Sequence, residues 1–104
     1  MKDKHANENV KIVLLPSATG KAYSAADRRK IQRLIKDKLL LTSKEPYHKV
    51  QVEVKCGSDG SPEWLVVSML RAYTYTADIV KVNVDSTYNV KSIEPSSEGI
   101  GSYL

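Results

Sequence analysis

Cysteine and histidine are scarce in this chain: one thiol and two imidazoles in 104 residues. The lone Cys56 excludes an internal disulfide and a thiolate-held metal cluster within one chain, and it fits a reducing compartment slightly better than a secreted one. At the end of an alternating run it reads as a small, half-buried apolar side chain. His5 lies in a polar first stretch and His48 at a strand entry, and neither is followed by an orienting carboxylate, so histidine-based catalysis has no support. Long apolar runs are missing too. None approaches the ~20 residues that span a bilayer, and "MKDKHANENV" lacks the hydrophobic segment of an intact secretory signal.

Other catalytic and metal-binding patterns fail in the same way. Glu53, Asp78 and Asp85 are scattered carboxylates at solvent-face or turn positions rather than a pair for acid–base work. Asn83, Asp85 and Thr87 have the alternate spacing of calcium ligands, without the Gly and terminal Glu of an EF-hand loop. "KIVLLPSATGKAYSAADRRK" sets an apolar run, a loop ending in Gly-Lys and a helix start in the order of a phosphate loop. Counting back from Gly20-Lys21, however, Leu15 stands where the first Gly belongs and Ala22 where the hydroxyl belongs. The stretch reads as a connecting loop. An enzyme is not expected, and no cofactor or metal is called for.

What is present describes a fold. Hydrophobic residues at 41% and charged residues at 27% are ordinary for one globular domain of this size. Residues 1–9 are polar and unpatterned, a flexible lead-in, and residues 10–95 form a single domain. "VKIVLL" reads as a short strand stopped by Pro16. Ser24 caps a helix running to about Leu40, with Asp27 in its first turn. Ile31, Leu34, Ile35 and Leu39 make its apolar stripe, with Arg29, Arg33 and Lys36 opposite, while Lys38 falls inside the apolar arc.

The period then changes to two. In "KVQVEVKC", Val50, Val52, Val54 and Cys56 share one face. Glu63 to Asp85 contains no Gly or Pro and is too long for one ordinary strand of ~5–6 residues. It divides near Thr76 to Asp78 into two strands, or forms one strongly bulged strand. "YNVKSIE" is the last strand, and 96–104 form a small-residue, mobile tail. The fold class is therefore α+β: a short N-terminal strand, one amphipathic helix, and an antiparallel meander of about four strands with the helix across its apolar face.

Two surfaces could bind a partner. The helix offers Arg29, Arg33 and Lys36. The net charge of +4 is mild for a dedicated nucleic-acid binder, and no aromatic residue follows Tyr23 in the helix to stack bases. On the sheet, Trp64, Val66, Ser68, Leu70 and Ala72 should share one face and Leu65, Val67, Met69, Arg71, Tyr73 and Tyr75 the other. Arg71, Tyr73 and Tyr75 are residue types favoured at interface hot spots. Both sets are apolar near the strand start, so both faces should be covered there, one by the helix and the other by a loop or a partner.

The helix followed by "YHKVQVEVKCG", "EWLVVSMLRAYTYT" and "DIVKVNVDSTYNVKSIE" resembles the cystatin-like group of folds, in which a meander wraps one helix. The last segment looks like the ending of PepSY-type domains. The resemblance implies an inhibitor of, or accessory to, peptidases. The cystatin Q-x-V-x-G hairpin is not matched: Gln51 is kept, but Glu53 and Lys55 stand where Val and Gly belong. Trp64 also follows Glu63 rather than Pro.

The expectation is a small non-enzymatic module that binds another protein, a peptidase included, or associates with itself through the sheet. Its contacts would be Arg71, Tyr73 and Tyr75 with Arg29, Arg33 and Lys36. The second reading is a basic nucleic-acid-associated protein.

Overall fold

A computed structural model describes residues 6–17 and 22–95. The Gly20-Lys21 pair and the tail at 96–104 lie outside the described residues. The elements are β1 (Lys11–Leu14), α1 (Ala25–Ile35) with a π-helical turn at Lys36–Leu40, β2 (Tyr47–Cys56), β3 (Pro62–Arg71), β4 (Ala77–Val84) and β5 (Val90–Pro95). They form one five-stranded sheet in the order β1-β2-β3-β4-β5. The α+β class, the single long helix and the division of Glu63 to Asp85 into two strands follow the sequence expectation.

The sheet is mixed rather than wholly antiparallel. β2 to β5 form the meander, but β1 pairs with β2 in parallel, Lys11 opposite Lys49 and Leu14 opposite Val52. A parallel neighbour requires a crossover, and α1 supplies it. The first half is thus a single β-α-β unit.

Alternation places the core. Val50, Val52, Leu65, Val67 and Val82 are buried on the inner face, where they meet Ile31, Leu34, Ile35, Leu39 and Leu40. Each such side chain, fully buried, contributes about 1.5–3 kcal/mol. Ser24 begins α1 as expected, its Oγ accepting from the Asp27 N–H at 3.0 Å. The far end differs. The Leu41 N–H reaches back five residues to the Lys36 carbonyl at 2.9 Å. This wider turn lets both Leu39 and Leu40 face the core and carries Lys38 out to solvent, not into the apolar arc.

Two local shifts interrupt the pairing of β2 with β3. At the β2 entry, Tyr47 pairs with Arg71 and Lys49 with Leu70, leaving His48 as the extra, exposed residue of a bulge. Tyr47 and Val50 therefore both point inward. A second shift leaves Glu63 of β3 as the extra residue between the Lys55–Trp64 and Cys56–Pro62 pairs, and the Cys56 thiol, at the end of its strand, is exposed rather than half-buried.

The turns are held by carboxylates. Asp59 accepts from the Ser61 N–H and hydroxyl, beside Gly60 at φ 83°, a left-handed conformation that suits glycine. Asp85 accepts from the N–H groups of Thr87 and Asn89, each at 2.9 Å, and from both of their side chains. Those bonds hold its carboxyl well below the ordinary carboxylate range. Its oxygens are thus engaged in the turn, and Asn83 donates to the Glu63 carbonyl. Among the described residues, no His, Cys, Asp and Glu side chains gather in a group that could hold a metal ion. Tyr88 adopts φ 64° in the same turn, with its ring buried against the core.

Candidate functional site

Two sets of polar side chains stand out, and they differ in whether their hydrogen-bonding capacity is used internally. The first lies where β2 begins and β3 ends. The Arg71 guanidinium spans Asp78, with Nε at 3.2 Å and Nη2 at 2.9 Å from the two carboxylate oxygens, and it also lies 3.5 Å from Glu45. The Tyr47 hydroxyl donates to Asp78 at 2.6 Å. Burial, reinforced by that carboxylate, pushes the Tyr47 phenol up to about 12. Burial acts to raise Asp78 as well, but the hydrogen bonds from Arg71 and Tyr47 outweigh it and leave the carboxyl below its usual value.

Asn7 extends this set. Its side chain is fully buried, at 0% exposure. Its Nδ2 donates to the Leu40 and Glu45 carbonyls at 3.1 and 2.9 Å, and its Oδ1 accepts from the Tyr47 N–H at 2.8 Å. One amide thereby satisfies three backbone groups of the connection between α1 and β2. Sequence reasoning placed Asn7 in a polar lead-in, and nothing in its neighbours' pattern marks it. Its partners lie more than thirty positions away.

The second set is on α1. Arg29, Arg33 and Lys36 follow one helical stripe, and with Glu8, Val10 and Ile12 they line a groove of about 640 Å³ between the helix and β1. The floor is apolar and the wall is basic. Among the described residues none of the three cations has an ion pair, since both ion pairs found belong to Arg71. β1 is also an edge strand, paired only with β2 among the described residues. A smaller hollow, with Leu14, Tyr23 and Arg28 in its lining, lies farther along the same strand.

The six expected contact residues therefore separate. Arg29, Arg33 and Lys36 share the groove. Arg71 is held between two carboxylates. Tyr73 and Tyr75 are not on the sheet face: β3 ends at Arg71, and the two rings occupy the connecting loop, 87% and 74% exposed. That loop is fixed at its base by the Arg71 N–H on the Thr76 carbonyl and the Ala72 N–H on the Pro46 carbonyl, both 3.0 Å. The strand division consequently falls at Ala72 to Thr76, a few residues before the expected place.

Among the described residues no helix lies on the sheet's outer face, where Val66, Ser68 and Leu70 are half-buried. Trp64 is half-buried there by its neighbours, with the Lys81 ammonium 5.2 Å from the ring centroid. Small side chains at Ser68 and Ala77 leave a hollow of about 80 Å³ near Lys49 and Leu70.

Comparison with protein families, curated proteins and solved structures finds no match to this chain.

Proposed function

We propose that the protein is a non-enzymatic binding module that takes an acidic polypeptide segment in the groove between α1 and β1. The observation that carries this reading is the stripe of Arg29, Arg33 and Lys36, three cations without ion pairs among the described residues, above a floor of Val10 and Ile12. Cations left without protein partners present an attractive potential to carboxylates, and an apolar floor gives such a ligand area to bury. A peptidase bearing an acidic segment is one partner of this kind.

Nucleic acid is the competing ligand. Among the described residues no aromatic side chain lines the groove beside the three cations, so they offer no platform for stacked bases. The test is the affinity of a blocked acidic peptide, against that of a single-stranded oligonucleotide, over a range of salt. The expected result is peptide binding that Arg29→Glu/Arg33→Glu abolishes. Preferential binding of the oligonucleotide, with a steep loss as salt rises, would overturn the assignment.

A further inference from the structure

We infer that the acidic segment binds as an added strand, pairing through its backbone with the open edge of β1 while its alternate side chains face α1. This rests on the groove assignment above and specifies its mode.

Backbone geometry sets which groups are on offer. The Leu15 N–H donates to the Val52 carbonyl at 2.9 Å. Successive residues of a strand turn their N–H and C=O groups to opposite sides. Those of Val13 and Lys11 therefore face β2 like Leu15's, and those of Ile12 and Leu14 face the open edge. Their side chains meanwhile pack against the core. An edge with free donors and acceptors is a template for another strand.

The spacing of the cations fits an extended ligand. Residues four apart on a helix rise about 6 Å, and alternate residues on a strand advance about 6.6 Å. Carboxylates at every second position of an added strand thus come level with Arg29 and Arg33, and the next falls toward Lys36. The opposite edge offers less. β5 carries Lys91 and Glu94, charges of both signs, and ends at Pro95, which has no N–H to donate. Among the described residues, the charged ones lining the α1/β1 groove are basic with one exception, Glu8.

The experiment uses the whole chain and a blocked peptide of alternating Glu and Thr, with amide hydrogen exchange followed residue by residue. On saturation, exchange at Ile12 and Leu14 should slow by about tenfold or more, whereas Val13, already facing β2, should change little. N-methylating the peptide's alternate residues, one set at a time, should abolish binding for at least one set. Binding that depends on Arg29 and Arg33 while Ile12 and Leu14 exchange unchanged, and both methylated peptides bind like the parent, overturns strand addition and leaves the groove assignment intact. Absence of peptide binding, or binding indifferent to Arg29→Glu/Arg33→Glu, overturns both.

Discussion

Arg71 and the α1 stripe carry the same kind of charge in different company. Arg71 meets two carboxylates, one of them in a two-pronged contact, and its set closes on itself through Tyr47 and Asn7. Arg29, Arg33 and Lys36 meet none among the described residues. A guanidinium already answered by carboxylates has little left for a ligand, and its removal disturbs the groups that face it. A cation with no protein partner costs the fold little to lose. Residue type alone does not separate a brace from a binding surface. What separates them is whether the charge is already paired.

This contrast can be broken most directly at Asn7. Asn7→Ala leaves the Leu40 and Glu45 carbonyls and the Tyr47 N–H without their partner, and should cost about 3 kcal/mol of stability in chemical denaturation. A cost near zero would mean that the buried amide is not a brace. The reverse pattern is expected on the helix. Arg29→Glu/Arg33→Glu should weaken binding of an acidic peptide by tenfold or more at low salt, on the order expected for reversed interface charges, with stability changed by no more than about 0.5 kcal/mol. A large loss of stability in that variant would place these arginines with the bracing set.

Tyr47→Phe is a smaller probe of the closed set. It removes one hydrogen bond to Asp78, and a loss of about 1 kcal/mol is expected. It should also change the alkaline limb of the stability profile. The folded-state values for Tyr47 and Tyr88 are raised from 10.0 to about 12, chiefly by burial. A raised value contributes stability that is fully present below the unfolded value and is lost as pH rises through the folded one. Stability should therefore fall between about pH 10 and pH 12, and more shallowly in Tyr47→Phe. An unchanged slope would contradict the assignment of that limb to Tyr47.

The smallest effect is expected at the loop. Tyr73→Ala/Tyr75→Ala removes two exposed rings and should alter stability by less than about 0.5 kcal/mol. Peptide binding in the groove should be unaffected. A marked loss of binding would make the loop a second contact of the same site.

Much of this architecture is legible without coordinates, for reasons particular residues make plain. Val50, Val52 and Val54 alternate because a strand's side chains alternate, and all three are buried. The Ser24 cap is a contact over three residues, within reach of a local rule. The cations of α1 are likewise legible as a stripe. The groove they line is not, since its floor comes from β1, placed alongside by a parallel pairing. The π-helical turn was hidden because a regular helix puts Lys38 in the apolar arc and Leu40 opposite it, and the core imposes the wider turn that buries two adjacent leucines. Cys56 is exposed because it lies at the end of its strand, a place in the fold that no local period encodes.

By itself, then, the sequence determined the class of the fold, the cap of its helix, the valine faces of its strands and the direction in which the helix presents its charge. Those follow from periods of two and 3.6 residues and from short-range hydrogen bonds. Only the tertiary structure decided that β1 runs parallel to β2, that Asn7 closes the turn after the helix, and that Arg71 is neutralised while Arg29, Arg33 and Lys36 have no ion pair among the described residues. Each of these depends on groups distant in the chain meeting at a few ångströms. Burial and charge pairing are properties of that meeting, and no local period encodes them.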